Sequence, residues 1–266
     1  MTTLLIATRN AHKIGEIQSI LGADFHCRSL LKEFPDAPVP VEDADSFSGN
    51  AAKKAESLAA WLGDVQPEPG RAVLRAASTF HSEGQGHAQR GPTTPPMERV
   101  FVLADDSGLE VDALGGAPGI HSARFAALDS GHDGNSPDAD NNAKLLRLLA
   151  DVSKEKRTAR FRCVLALVEV SDGRADLRSA SSSQADNASR AQRGPTMPQL
   201  FDGACEGWID FAPRGAGGFG YDPLFIPLGR EQSFAELGES VKNGLSHRAL
   251  ALARLREWFR RSGESD

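Results

Sequence analysis

The sequence predicts an α/β protein with a central sheet flanked by helices. Two runs of consecutive apolar residues, Val100–Ala104 and Cys163–Val168, are typical of central strands covered on both faces. Elsewhere, apolar residues recur at the three- and four-residue spacing of amphipathic helices. Strands and helices that alternate along a chain pack as layers. A chain of 266 residues with 40% hydrophobic content can bury the core this needs, so we expect a single domain over residues 1–266.

The first element is a short strand over Leu4–Ala7, followed by a loop and a helix. The apolar residues between Ile14 and Leu21 recur at helical spacing. Asn10 suits the N-cap, because its side chain can accept hydrogen bonds from the N–H groups of the first turn. Gly22 suits the position just after the last turn, where many helices end in a left-handed backbone conformation. The chain therefore opens with strand, loop and helix.

Three more helices are predicted from the same periodicity. The first runs from about Phe47 to Leu62 and carries alanines and leucines on one side. The second lies near Asn141–Leu149, and the third covers Ala249–Phe259 before a polar tail. Their apolar faces would cover the central sheet.

Two segments, 66–99 and 179–200, break this pattern. Both are rich in Gly, Pro, Ser, Gln and Arg and poor in large aliphatic residues, so we expect surface insertions that are disordered or form loops. They share the string Ala-Gln-Arg-Gly-Pro-Thr-X-Pro, at 88–95 and at 191–198. This repeat fits inert loops or a peptide that binds a partner, and the sequence leaves both open.

Composition argues against several classes of function. The net charge of −6 argues against broad affinity for DNA or RNA. The apolar run at the N-terminus is too short for a signal peptide, and no apolar stretch approaches the roughly 20 residues of a membrane helix. Three widely spaced cysteines indicate neither a disulfide framework nor a thiolate metal site. We expect a soluble, cytoplasmic protein that binds neither nucleic acid nor membranes.

The loop after the first strand is a candidate phosphate site. It reads Thr8, Arg9, Asn10, Ala11, His12 and Lys13. N–H groups and the helix dipole favour an anion at such a helix N-terminus, and Lys13 adds a positive charge. Capping residues beside a solvated lysine would give the same local pattern.

An acidic run directly after the strand Val100–Ala104 is a candidate centre for chemistry. Asp105 and Asp106 would lie at the carboxyl end of that strand, where open α/β sheets place ligands. Mg²⁺ takes oxygen ligands, and a carboxylate can also deprotonate an attacking water. Glu42 could supply a second carboxylate to the same ion. A capped acidic turn and a solvated loop charge are the alternative interpretations.

A glycine-rich loop and a basic cluster complete the candidate residues. The loop runs from Gly215 to Pro223 and holds Phe219 and Tyr221, whose flat rings can support a nucleobase. Lys242 and the run Ser246–Arg248 offer cationic groups at the entrance of the last helix, although a plain helix start fits them equally well.

Together and in order, these segments resemble the inosine/xanthosine triphosphate pyrophosphatase family. The signatures of that family look like T-x-N-x-x-K, then A-D-D-S-G-L-x-V-D-x-L-G-G-x-P-G, then G-F-G-Y-D-P, then a lysine followed by S-H-R. Here they correspond to Thr8–Lys13, Ala104–Gly119, Phe219–Pro223 and Ser246–Arg248. The resemblance covers nearly everything outside the two insertions. It implies a mixed central sheet with flanking helices, two lobes around an active-site cleft, and a homodimer.

The resemblance also implies a reaction, the hydrolysis of dITP, ITP and XTP to the monophosphate and pyrophosphate. Asp106 would be the general base and, with Glu42, a Mg²⁺ ligand, while Ser107 would contact the substrate. The phosphates would be bound by Thr8, Arg9, Asn10, Ala11, His12 and Lys13, joined by Lys54 and Lys242. The nucleobase pocket would consist of Phe219, Gly220, Tyr221, Asp222, His247 and Arg248.

Two other functions remain possible. A related pyrophosphatase of the septum-inhibitor type acts on modified pyrimidine nucleotides, but its serine- and arginine-rich opening loop is not matched by Thr8–Lys13. A non-catalytic nucleotide-binding scaffold could use the repeated peptide to bind a partner. The presence of Lys13, Glu42 and Asp106 together weighs against a scaffold, because a sensor needs no carboxylate that activates water.

Overall fold

The computed structural model describes residues 2–64, 99–129, 131, 134–170 and 197–263. The strands are β1 Thr2–Ile6, β2 Phe25–Ser29, β3 Val100–Val111, β4 Thr158–Glu169, β5 Gln199–Ile209 and β6 Phe225–Pro227. They form one sheet in the order β2-β1-β3-β4-β5-β6. β1 is parallel to β2 and β3, whereas the remaining pairs are antiparallel. The expected mixed central sheet is confirmed.

Helices cover both faces of this sheet. The helices of the described ranges are α1 Ala11–Leu21, α2 Leu30–Glu33, α3 Phe47–Asp64, α4 Asp138–Leu148, α5 Phe234–Leu245 and α6 His247–Gly263. Helices α1 and α6 pack against one face, and α3 packs against the other. Among these helices, none has the length and apolar character needed to cross a membrane.

The predicted order of strand, loop and helix at the opening of the chain is confirmed, with the strand at Thr2–Ile6 instead of Leu4–Ala7. The side chain of Asn10 caps α1, accepting hydrogen bonds from the backbone N–H groups of His12 at 2.9 Å and Lys13 at 3.3 Å. Gly22 follows the last helical residue with φ +62°. The helix predicted at 47–62 extends to residue 64, and the one predicted at 141–149 begins a turn earlier, at residue 138.

The predicted end of the third strand is wrong. β3 does not stop before the acidic run but continues through Asp105 and Asp106 to Val111, pairing with β4 along its whole length. The two charged residues stay inside a buried strand because oppositely charged side chains meet them on both faces of the sheet. A strand pattern defined by hydrophobic residues alone ends too early at such a position.

The two predicted insertions lie mostly outside the described residues. Residues 66–98 and 179–196 are outside the described ranges. They include the whole first copy of the repeated string and the second copy except residues 197 and 198. The end assigned to the second insertion is wrong, because Gln199 and Leu200 are the first residues of β5. They pair in antiparallel register with Leu167 and Ala166 of β4.

The long strands β3 and β4 run from the two hydrophobic clusters on either face of the sheet into a third cluster. β1 pairs with β3 only as far as Ile6 and Leu103. Beyond that point a separate apolar cluster surrounds the second half of β3 and the first half of β4, and it includes Leu109, Phe161 and Phe225. The polar middle of β3 therefore lies where β1 ends, between the clusters on the two faces of the sheet and the third cluster.

The backbone of β5 approaches α6 closely at Gly203. A β-carbon at this position would overlap the carbonyl oxygen of His247 and would lie 2.6 Å from the amide nitrogen of Ala251. Glycine is therefore required for the first turn of α6 to rest directly on the sheet. This contact sets the position of His247 and Arg248 relative to β3.

Candidate active site

The candidate site is divided between the two faces of β3. Consecutive residues of a strand point to opposite faces, so Asp105 faces α1 and α6 whereas Asp106 faces α3. The two carboxylates therefore have different partners, although both lie next to the end of β1. Of these two carboxylates, the sequence analysis gave the roles of base and Mg²⁺ ligand to Asp106 alone, and the structure places Asp105 on the opposite face of β3.

Asp105 is a fully buried carboxylate at the centre of an ion cluster. It forms ion pairs with Lys13 and, at 2.9 Å, with Nε of Arg248. The hydroxyl of Ser107 donates a hydrogen bond to it at 3.0 Å, and the thiol of Cys163 lies 3.2 Å away. Burial alone would raise the pKa of Asp105, but Arg248 and Lys13 overcome this effect and hold the pKa well below its usual range. Asp105 is therefore a permanently ionised anchor for the two cations.

Glu16 extends this cluster and was missed by the sequence interpretation. Its carboxylate pairs with Nζ of Lys242 at 2.7 Å and with the guanidinium of Arg248. Lys242 also pairs with Asp222 at 2.6 Å. Glu16 lies three residues after Lys13 in α1, a spacing that places both side chains on one helical face. That spacing was the available signal.

Asp106 lies in a smaller cluster on the other face. Nζ of Lys54 is 3.0 Å from Asp106 and 2.9 Å from Glu42, so one ammonium joins the two carboxylates. The side-chain amide of Asn50 donates a hydrogen bond to Asp106 at 3.2 Å. The structure therefore brings Glu42 and Asp106 together, as the prediction of a shared ion requires, and places Lys54 and Asn50 beside them.

The protonation of this second cluster follows from its charges. Burial raises the pKa of Asp106, and the shared Lys54 offsets this only in part because the charge of Glu42 opposes it. Burial works to lower the pKa of Lys54, but Asp106 and Glu42 overcome it and raise that pKa. Asp106 is thus a carboxylate that takes up a proton more readily than Asp105 does.

The predicted phosphate loop lies at the edge of both clusters. Thr8 accepts a hydrogen bond from the backbone N–H of Asn10 at 3.2 Å, which orders the turn. The side chains of Arg9, Ala11 and His12 are exposed, and Lys13 reaches down to Asp105. The imidazole of His12 stacks on the ring of Phe219 at 5.3 Å between centroids. This contact brings the phosphate loop and the glycine-rich loop together.

The glycine-rich loop is held from below by buried groups. Nζ of Lys242 lies 4.4 Å from the centroid of the Phe219 ring. Asp222 accepts hydrogen bonds from Lys242 at 2.6 Å and from the backbone N–H of Phe219 at 2.9 Å. Tyr221 is buried, and its hydroxyl donates to the carbonyl of Ser122 at 2.8 Å. Of the two predicted aromatic residues, Phe219 is the more accessible and Tyr221 anchors the loop.

His247 is buried at the start of α6. Its ring stacks on Phe161 at 4.9 Å between centroids, with an angle of 14° between the planes. Its Nδ1 atom is buried without a hydrogen-bond partner in the part of the chain that the structure describes. Burial, followed by the charges of Arg248 and Lys242, holds the pKa of His247 well below its usual range. The imidazole is therefore neutral at physiological pH.

These features define an α/β protein with a site for an anionic, phosphate-bearing ligand: a helix N-terminus, buried cations and two separate carboxylate clusters meet where β1 ends. The chain belongs to the Ham1 family, whose profile matches residues 4–258.

Relatives in this family align with almost the whole chain. A protein from Geobacillus kaustophilus, named dITP/XTP pyrophosphatase, is 39% identical over 97% of this chain and 94% of its own length. One of the same name from Shouchella clausii is 37% identical over 97% of this chain and 96% of its own. The structure of a HAM1 protein from Coxiella burnetii has a TM-score of 0.65 and 27% identity, with 98% of this chain and all of that chain covered. The fold is thus shared with this family.

Proposed function

We propose that this chain hydrolyses dITP, ITP and XTP to the nucleoside monophosphate and pyrophosphate. The observation that carries the proposal is the separation of Asp106 from the Asp105 cluster. One carboxylate is locked between cations, while its neighbour, with a raised pKa, is held by one lysine and one amide beside the phosphate loop. The relatives named dITP/XTP pyrophosphatase support the choice of substrate.

The triphosphate would bind across the N-terminus of α1. The loop Thr8–Lys13 offers backbone and side-chain donors there, and Lys54 and Lys242 are buried ammonium groups of the two adjoining ion clusters. These lysines are already paired with carboxylates, so the phosphates would compete with Glu42 and Glu16 for them. Such competition limits affinity for phosphate alone and makes the rest of the nucleotide important for binding.

A divalent cation fits this site. Four cationic side chains, of Lys13, Lys54, Lys242 and Arg248, meet five carboxylates, of Glu16, Glu42, Asp105, Asp106 and Asp222. The cluster therefore has no excess positive charge with which to offset a triphosphate.

We propose that Glu42 and Asp106 hold Mg²⁺, because both carboxylates lie within 3.0 Å of the same ammonium group and Mg²⁺ needs only one or two carboxylates besides substrate phosphates. In the described ranges no cluster of three or more His, Cys, Asp or Glu side chains forms a self-sufficient metal site. When bound, the ion would neutralise charge on the phosphates and polarise the reacting group.

Asp106 would act as the general base. Burial raises its pKa towards the operating pH, which is what proton abstraction from water requires. Asn50 and Lys54 orient the carboxylate from the α3 side. The water deprotonated by Asp106 would attack the α-phosphorus, and pyrophosphate would leave towards the cations of the phosphate loop. Ser107, on the Asp105 face, would contact the substrate.

The nucleobase would lie against Phe219, within reach of His247 and Arg248. Since His247 is neutral, one of its ring nitrogens carries a proton and can donate to a 6-oxo group. Adenine presents a 6-amino donor at that place, and two facing donors repel each other. A site built for hydrogen bonding discriminates strongly against such an analogue. Gly220, Tyr221 and Asp222 would shape the pocket through the backbone of the loop.

A product assay tests the proposal. The purified chain would be incubated with Mg²⁺ and, separately, with dITP, XTP, GTP, ATP and dUTP, and pyrophosphate and orthophosphate would be measured independently. We expect pyrophosphate as the first product, with dITP and XTP preferred. Orthophosphate as the first product would refute attack at the α-phosphorus, and preference for dUTP would indicate a pyrimidine enzyme instead.

We further propose that the protein is a cytoplasmic homodimer that acts on free nucleotides. The family resemblance supports the dimer. The net charge of −6 supports the absence of nucleic-acid binding. Light scattering during gel filtration would give the mass of the particle, and a monomer of about one chain mass at micromolar concentration would contradict the dimer.

A further inference from the structure

A pair of side chains on α4 clamps the glycine-rich loop at one residue, Gly220. Oδ2 of Asp138 accepts a hydrogen bond from the backbone N–H of Gly220 at 2.6 Å, and Nδ2 of Asn142 donates one to the carbonyl oxygen of Gly220 at 3.0 Å. The two side chains are four residues apart, so they project from the same face of the helix. Among the described residues, these are the hydrogen bonds that satisfy the backbone of Gly220.

The clamp matters because other packing between α4 and the loop is incomplete. A solvent-open cavity of about 450 Å³ lies between them, lined by Ala139, Ala143 and Leu146 of the helix and by Ala216 and Gly217 of the loop. Side chains on opposite sides of such a cavity make few direct contacts, so they contribute little to holding the loop against α4. Asp138 and Asn142 bridge the two elements at the edge of this cavity.

The clamped residue stands next to the predicted nucleobase platform. Gly220 has φ +63°, a left-handed conformation that places Phe219 on one side and the buried Tyr221 on the other. The ring of Phe219 in turn stacks on His12 and packs against Nζ of Lys242. A shift of the Gly220 peptide would therefore move Phe219 relative to the phosphate loop.

We infer that Asp138 and Asn142 are positioning residues. By binding the N–H and the carbonyl oxygen of Gly220, they hold Phe219 in place to receive the base of the substrate. This inference rests on the proposed function, since it concerns the same site. The two side chains would not touch the reacting phosphates. Their loss should therefore weaken nucleotide binding much more than it slows the chemical step.

The decisive experiment compares Asn142→Ala and Asp138→Ala with the wild-type chain in pyrophosphate release from ITP. Each should raise KM about fivefold, the ratio expected from the net loss of one ordinary hydrogen bond. We expect kcat to stay within about twofold, because the groups around Asp106 are untouched. Asp138→Asn keeps an acceptor oxygen and should restore KM nearly to the wild-type value. The control is Asp140→Ala, an exposed residue of the same helix, which should behave as wild type.

Two measurements without turnover separate the clamp from the proposed function. Hydrogen exchange of the peptide 215–223 should be faster in Asn142→Ala than in Asp140→Ala, and the affinity for IMP measured by calorimetry should fall about fivefold as KM rises. The inference would be overturned if hydrogen exchange and IMP affinity were unchanged in Asn142→Ala. It would also be overturned if kcat and the melting temperature fell as much as KM rose, because that would indicate a general loss of structure. A wild-type chain that hydrolyses no nucleotide would refute the proposed function, while exchange and IMP binding would still decide whether the clamp exists.

Discussion

Replacing each of the two neighbouring aspartates by Asn should give opposite results. Asp106→Asn removes the proposed base but little stabilising energy, because burial raises the pKa of this group and its charged form is disfavoured in the folded state. General-base catalysis contributes about 10²–10⁴-fold, so kcat should fall by at least about 100-fold. The amide can still bond to Asn50, and Lys54 keeps Glu42 as a partner. The melting temperature should therefore stay within about 3 °C of the wild-type value.

Asp105→Asn should instead destabilise the protein. Asp105 is paired with Lys13 and Arg248, and the side chain of Arg248 is only 1% exposed. Removing one partner of a buried ion pair costs about 3–5 kcal/mol, because the remaining charge stays buried. Glu16 still neutralises part of the charge on Arg248, which favours the lower end of that range. For a chain of this size, a loss of about 3 kcal/mol lowers the melting temperature by about 6–12 °C.

Thermal and urea unfolding of both variants, together with pyrophosphate release from ITP, would test this contrast. The two substitutions are chemically identical and adjacent in sequence, so each serves as the control for the other. The reasoning would be refuted if Asp105→Asn unfolded at the wild-type temperature, or if Asp106→Asn kept more than about a tenth of wild-type kcat.

Three more results are expected. The raised pKa of Asp106 predicts that, without Mg²⁺, its carboxylate titrates with a midpoint above the ordinary value of about 3.9 in NMR, and a midpoint at or below that value would contradict the effect of burial. The pKa of Asp105 is lower in the folded than in the unfolded state, so its ionised carboxylate stabilises the fold above the unfolded pKa, and this stabilisation is lost as pH falls through the folded pKa. The difference in unfolding free energy between wild type and Asp105→Asn should therefore be constant near neutrality and shrink below about pH 4. A difference that grows in acid would contradict a lowered pKa. Gly203→Ala should cost about 1–3 kcal/mol in urea unfolding because its β-carbon meets the backbone of His247, while the more open Gly134→Ala should cost less, and equal losses would mean that α6 does not rest on this strand.

The sequence was informative where local physics decides the structure. Asn10 and Gly22 bracket α1 because a capping side chain and a left-handed residue satisfy helix ends wherever the helix lies. The apolar runs of β3 and β4 and the helical periodicity of α3 were also correct in type. The strand end at Ala104 was wrong, because the pattern could not show that charged partners from α1, α3 and α6 would meet Asp105 and Asp106 inside the sheet.

Other features of the site had little signal in the sequence. Glu16, Asn142 and Phe161 are ordinary helix or strand residues in local context. They become parts of the site only because the fold brings α1 beside α6, α4 beside the glycine-rich loop, and β4 beneath His247. The burial that changes the pKa values of Asp105, Asp106 and His247 likewise depends on neighbours distant in sequence.

The sequence by itself determined the α/β class, the order of the phosphate loop, acidic run, glycine-rich loop and basic cluster, and the family they resemble. These are properties of residue types and spacing, which need no coordinates. Only the tertiary structure decided that Asp105 and Asp106 face opposite sides of β3, one locked between Lys13 and Arg248 and the other held by Lys54. The reason is physical: a carboxylate gains its role from the charges and burial around it, and those are set by packing between elements far apart in the chain.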